Sequence, residues 1–333
     1  MNYYIRLNSD GFYNQGYKHA KKVANLWVEV ENLFQNYPLK TYALDNPKNI
    51  GYKISIDTSD IVDFFNKRIS KVIPDDYYSE SPNFYLKISL HTLANGEMNS
   101  IGGARSVNIT NRFLQDLFIS MNLAFPTSFN LWYGEFYESM ESYDVIAYAP
   151  FYTVVPLDEV MNINTHWNYP KIKNIPFAKV WSWINKVGIP GVGVAENVSQ
   201  KACFILLNLC GSPEFITENS LAMSRGFEII LADSSQSINK MLKERLELLF
   251  GIPLENKKWF SQFYQLRSRV IHGDLPVTRN NREFSFQNEE FLLVFKKPYN
   301  QAFSIYISLL QKMIIKDCNG FIFSQKVAWV KNT

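Results

Sequence analysis

Between Tyr17 and Phe34 apolar residues recur at helical spacing (Ala20, Val23, Ala24, Trp27, Val28, Val30, Leu33), which predicts an amphipathic helix. The next helix has a clear start, with Asp57, Thr58, Ser59 and Asp60 as capping residues ahead of Ile61, Phe64, Phe65, Ile69 and Val72. The segments Asn83–Thr92, Phe129–Phe136 and Asp144–Val155 are rich in aromatic or β-branched residues and predict strands. Between the first two, Asn108–Leu123 reads as a helix with Phe113, Leu114, Leu117, Phe118 and Met121 on one side.

The pattern changes around Asn162–Pro176, where Asn, Pro and Lys cluster. Beyond it helical spacing dominates, over Phe177–Val187, Val198–Leu209, Glu218–Phe250, Lys258–His272 and Gln301–Lys316. Two loops, Gly188–Ala195 and Gly273–Asn288, interrupt this run. The expected class is α+β, with a mixed α/β domain over 1–170 and an all-helical domain over 171–333. No internal repeat or low-complexity tract is present.

Composition narrows the class further. The 333 residues are 47% hydrophobic and 20% charged, which excludes a disordered or collagen-like chain. The net charge of +3 conceals an asymmetry: residues 1–170 carry 13 Lys/Arg against 18 Asp/Glu, and residues 171–333 carry 21 against 13. A polyanionic partner is therefore expected to meet the C-terminal half. The first residues lack the apolar run of a secretory leader, and no stretch approaches the ~18 continuous apolar residues of a membrane span. A cytoplasmic setting without membrane contact is expected.

Familiar catalytic signatures are missing. There is no phosphate-cradling Gly-x4-Gly-Lys loop, no His-Glu-x2-His helix, no Gly-x-Ser-x-Gly elbow and no Cys-x2-Cys pair. Gly188-Ile189-Pro190-Gly191-Val192-Gly193 follows a helix, not a strand, and its proline removes an amide donor, so it reads as an interhelical turn. Cys203 and Cys210 are spaced as buried thiols on a helix, and Cys318 stands alone. The four histidines are scattered: His19 beside two lysines and expected in solvent, His91 in a strand pattern, His166 in the boundary segment, and His272. This distribution predicts no metal site and no cofactor, and hence metal-independent chemistry.

One segment departs from its own pattern. In Trp259–His272, Trp259, Phe263, Leu266 and Val270 form an apolar arc flanked by Phe260, Tyr264 and Ile271, and Arg267 falls inside it. A guanidinium there requires a carboxylate, carbonyl or phosphate. Arg269 projects elsewhere and reads as a surface residue. Gly273 follows His272, with Pro276 shortly after, so the helix should end there. Arg267 and His272 could simply complement the negative end of the helix dipole. The same pair could also serve RNA cleavage, with histidine as base or acid near neutrality and arginine as the fixed bidentate cation for phosphate. One chain supplies one suitable His; two copies of the helix in a two-fold dimer would supply two His and two Arg.

Residues from about 177 to 275 resemble the ApeA-like branch of the HEPN (higher eukaryotes and prokaryotes nucleotide-binding) superfamily. The resemblance rests on Val180-Trp181-Ser182-Trp183-Ile184, Phe227-Glu228-Ile229-Ile230-Leu231-Ala232-Asp233-Ser234-Ser235 and Leu242 to Gly251. Most specific is Tyr264-Gln265-Leu266-Arg267-Ser268-Arg269-Val270-Ile271-His272-Gly273, which meets the branch's Tyr-x2-Arg-Ser-x3-His-Gly position by position. It covers roughly a third of the chain and leaves residues 1–170 unassigned.

The resemblance implies a helical bundle that forms a homodimer through the C-terminal domain, with paired Arg/His motifs making a metal-independent endoribonuclease, and a role in antiphage defence or as a toxin. Arg267 would hold the scissile phosphate, His272 would act as general acid or base, and Ser268 would orient one of them. Asp233 stands where the branch usually has Glu, followed by Ser-Ser instead of an apolar pair; it could pair with Arg267, cap, or face solvent at a kink. Some relatives bind a nucleotide, RNA or a protein without cleaving, which is the alternative. The acidic first half would then be a sensor or regulatory domain that meets a protein or phage-derived trigger. Its carboxylate groups Asp57/Asp60/Asp63 and Glu135/Glu138/Glu141 fit a helix start and a solvated strand end or loop.

Overall fold

The computed structural model describes residues 2–8, 17–39, 52–70, 83–92, 103–132, 134–212, 216–232, 238–255, 257–274 and 296–323. Six strands form one antiparallel sheet: β1 (Asn2–Asn8), β2 (Tyr37–Leu39), β3 (Tyr52–Asp57), β4 (Asn83–Thr92), β5 (Glu135–Tyr137) and β6 (Ala147–Tyr148). Their order is β2-β3-β4-β1-β5-β6. Register places Ile5 opposite both Leu86 and Phe136, and Ile56 opposite Ile88. The strict alternation of β1, β3 and β4 sends Tyr3, Ile5, Leu7, Ile54, Leu86 and Ile88 to one buried face.

That face is covered by α1 (Tyr17–Leu33), α2 (Ser59–Ser70) and α3 (Gly103–Ala124). From Phe113 to Ala124, α3 is buried on nearly every side apart from Gln115, so it lies between the sheet and the helices that follow. Those helices are α4 (Val155–Trp167), α5 (Phe177–Lys186), α6 (Val198–Gly211), α7 (Ile216–Leu231), α8 (Ile238–Phe250), α9 (Trp259–His272) and α10 (Lys297–Lys316). The centre of this bundle is α10, which packs on α3, α4, α5, α7 and α9. The class is α+β, with ten helices and one small antiparallel sheet among the described residues.

Packing runs across the segment where composition changes. Gln311 on α10 donates to Leu123 O (2.9 Å) and Lys173 O (2.7 Å) and accepts from Lys173 N (2.9 Å). Glu29 on α1 accepts the free amide of Phe177 at the start of α5 (3.2 Å). The hydrophobic core is accordingly continuous from Tyr3 to Ile314.

Several expectations need correction. Among the described residues of the expected strand Phe129–Phe136 only Glu135 and Phe136 enter the sheet, in β5, while Asn122 occupies the backbone of the preceding turn: its Nδ2 donates to Phe129 O (2.9 Å) and its Oδ1 accepts from Ser128 N (3.1 Å). Of Asp144–Val155 only Ala147–Tyr148 pairs, and Val155 already opens α4, with Pro156 in its first turn. The boundary segment Asn162–Pro176 begins inside α4, so His166 is helical and its Nδ1 lies 2.9 Å from Asn162 O. The long helix expected over Glu218–Phe250 is two helices, α7 and α8. His19 is half-buried against Phe125, ring centroids 4.7 Å apart, instead of lying in solvent. The loop Gly273–Asn288 lies outside the described residues beyond Asp274.

Candidate functional site

The site is built on α9 and its neighbour α7. Trp259, Phe260, Phe263, Tyr264 and Leu266 bury the inner face of α9 against α7 and α10. Close approach of α7 to α10 depends on Gly226: a Cβ at that position would lie 2.6 Å from Tyr306 Cε2 and 2.8 Å from its hydroxyl. Tyr306 cannot give way easily, because it is fully buried and its hydroxyl donates to Ala202 O (2.8 Å).

This packing brings Arg267 against two side chains one turn apart on α7. Arg267 Nη2 donates to Glu228 Oε1 at 3.1 Å, and Arg267 Nε to Ser224 Oγ at 3.1 Å. Ser224 in turn donates to Leu221 O (2.9 Å), which fixes its oxygen as the acceptor for Arg267. The guanidinium also lies 5.5 Å from the ring centroid of Tyr264. Both charged side chains are only partly exposed, Arg267 at 29% and Glu228 at 25%. The carboxylate required by the apolar arc is therefore Glu228. Asp233, for which pairing with Arg267 was one of three open expectations, lies outside the described residues.

Tyr264 adds a second feature. It is 5% exposed, and among the described residues its hydroxyl has no hydrogen-bond partner. Burial, and then the negative charge of Glu228, push its hydroxyl pKa well above the ordinary tyrosine range, while Arg267 opposes the shift.

His272 is the last residue of α9 and is exposed. Gly273 ends the helix in the left-handed conformation (φ 73°), and the amide of Asp274 turns back to Arg269 O at 2.9 Å. Ser268 is also exposed, one turn before His272 and on the same side of the helix. Neither side chain has a hydrogen-bond partner among the described residues; the serine that holds Arg267 is Ser224. Five residues along a helix correspond to a rotation of about 140°, so Arg267 and His272 of one protomer point apart. Arg269 is half-buried, its Nη2 reaching Asp274 O at 3.4 Å.

Sequence reading missed Ser224 and Glu228. Their signal was present in the four-residue spacing, which places a hydroxyl and a carboxylate on one side of a helix whose buried stripe is Met223, Phe227, Ile230 and Leu231. Among the described residues no group of three or more His, Cys, Asp and Glu is placed to hold a metal ion. No described helix is long and apolar enough to cross a membrane. Cys203 and Cys210 are fully buried, and burial raises both thiol pKa values. A cleft of about 510 Å³ lies between Phe151–Tyr152 and the facing ends of α6 and α7, with Asn208, Glu218 and Asn219 in its wall, and none of the predicted site residues lines it. No family model matches the chain, and no curated protein or solved structure matches it.

Proposed function

We propose that this protein is a metal-independent endoribonuclease of HEPN type, working as a homodimer in which two copies of α9 share one cleft. The carrying observation is the placement of Arg267: a half-buried guanidinium held by Glu228 and Ser224 through two of its five donors, with His272 exposed on the other side of the same helix. A single protomer keeps its cation and imidazole apart, while a two-fold partner supplies a second imidazole facing the first. One His272 takes the proton from a ribose 2′-hydroxyl as its oxygen attacks phosphorus. The other protonates the departing 5′-oxygen, and the Arg267 pair balances the charge of the phosphorane. Glu228 and Ser224 hold Arg267; Ser268 and Asp233 are proposed as supporting residues.

In this reading the protein acts in the cytoplasm in antiphage defence or as a toxin, and residues 1–170 receive a protein or phage-derived trigger. The reading draws on the position-by-position match of Tyr264 to Gly273 with the branch motif. A binding-only module is the second reading, favoured by one observation: His272 has no orienting partner among the described residues.

Incubation with labelled RNA in EDTA separates the two. Cleavage by the wild type, lost by about 100-fold or more in both His272→Ala and Arg267→Ala, is the expected result. RNA binding without any cleavage by the wild type would overturn the enzyme reading and leave the binding module.

A further inference from the structure

The segment that follows β5 departs from the pattern of an ordinary solvent face. Of the thirteen large apolar side chains exposed among the described residues, six fall between Met140 and Val155. Exposure alternates from Asp144 to Ala149, with Asp144, Ile146 and Tyr148 outward and Val145, Ala147 and Ala149 half-buried. Outward positions of such a strand are normally polar, yet two of these three are Ile146 and Tyr148. Tyr143 is 97% exposed, Tyr148 67% and Met140 53%. Single apolar side chains scattered over a surface need no explanation, but a run of them marks a contact surface. β6 is the last strand of the sheet, so among the described residues no strand pairs with its outer side.

The same segment is acidic without compensation. Between Arg112 and Lys171 the chain contains no Lys or Arg and seven Asp or Glu. Three of the seven, Glu138, Glu141 and Asp144, are exposed beside these apolar side chains. None of the three has an ion-pair partner among the described residues. The cations on the adjoining elements are placed elsewhere. Arg6 on β1 pairs with Glu135, and Arg112 on α3 donates to Gly191 O (3.0 Å). Arg105, exposed at the start of α3, pairs with none of the three acids. Through Phe151 the surface continues to the cleft beside α6 and α7, whose lining adds a carboxylate, Glu218, and no cation.

We propose that residues 138–151 form a docking surface for a basic segment of a partner protein. Apolar side chains of that segment cover Tyr143, Ile146 and Tyr148, while its Lys or Arg residues meet Glu138, Glu141 and Asp144. The three acids repel a phosphate backbone and an anionic lipid surface alike. They also disfavour a second copy of this chain. A two-fold contact would set the patch, acids included, against itself, and a contact with the basic half of another copy would be head-to-tail and need not close. The inference gives a chemistry to the protein trigger proposed for residues 1–170 and rests on that reading; it does not depend on RNA cleavage.

The test measures, by fluorescence anisotropy with the full chain, two labelled peptides of about twelve residues, one alternating Lys with Leu and one alternating Glu with Leu. The Lys-Leu peptide should bind and the Glu-Leu peptide should not. Tyr143→Ser and Tyr148→Ser, both at exposed positions, should leave the melting temperature unchanged and each weaken binding about fivefold or more. Glu141→Lys combined with Asp144→Lys should weaken the Lys-Leu peptide about tenfold or more and allow the Glu-Leu peptide to bind. No binding of the Lys-Leu peptide below about 1 mM, equal affinity for both peptides, or parental affinity in the serine variants would overturn the docking surface. So would a changed oligomeric state in Tyr143→Ser, which would make the patch a contact between copies. Binding that leaves RNA cleavage in EDTA unchanged upholds the docking surface and overturns only the trigger reading.

Discussion

Arg267 and Glu228 form an ion pair at 3.1 Å between α9 and α7, and it reconciles an arginine with an otherwise apolar arc. The pair is partly screened, so its net value is modest, but removal of one member strands the other. Glu228→Leu should lower stability by about 1–2 kcal/mol in chemical denaturation. Arg267→Met in the same chain should recover part of that loss. An additive double variant would mean that the two side chains do not interact in solution.

Gly226 sets the distance between α7 and α10, and through it the position of Ser224 and Glu228. Alanine is the better helix former, yet its Cβ would meet the Tyr306 ring at 2.6 Å. Gly226→Ala should therefore lower the melting temperature, at a cost of about 1–3 kcal/mol, and should weaken RNA cleavage with it. A variant as stable as the parent would show that the helices have room to part.

Asp57 provides a pH test. Its hydrogen bond from the Ser59 side chain is the largest cause holding its carboxyl below the ordinary 3.8, with the Ser59 backbone and Lys87 assisting and burial opposing. A depressed folded-state pKa gives stability that is present above the unfolded value and is lost as pH falls through the folded one. Asp57→Asn should cost about 1 kcal/mol at neutral pH and flatten the fall in stability below pH 3.8. An unchanged acid limb in urea titrations would contradict this assignment.

Thiol reactivity follows burial. Cys203 and Cys210 are fully buried with raised pKa values, whereas Cys318 is partly exposed. A disulfide reagent should label one thiol per native chain, at Cys318, and all three after unfolding. Rapid native labelling at Cys203 would mean that α6 opens readily.

What could be read from sequence was whatever local periodicity controls. The bounds of α1, α5 and α9 and the strand Asn83–Thr92 follow from side-chain spacing, and Gly273 ends α9 as its position requires. Long-range hydrogen bonding was not legible. Asn122 reaches over a turn to take the backbone of Ser128 and Phe129 away from the sheet, and nothing in the spacing of Phe129–Phe136 announces that. Gln311 ties Leu123 to Lys173 across the segment where composition changes. In the candidate site, the misfit of Arg267 with its arc was evident, but the residue satisfying it was not. Glu228 lies 39 positions away on a helix whose own pattern required no partner.

The most direct test of the shared cleft is a mixing experiment. Wild-type and His272→Ala protomers are combined in varying ratio, exchanged to equilibrium, and assayed for RNA cleavage in EDTA. If both imidazoles serve one cleft, activity falls as the square of the wild-type fraction. A linear fall, which marks self-sufficient protomers, or cleavage that survives complete replacement by His272→Ala, would contradict the account.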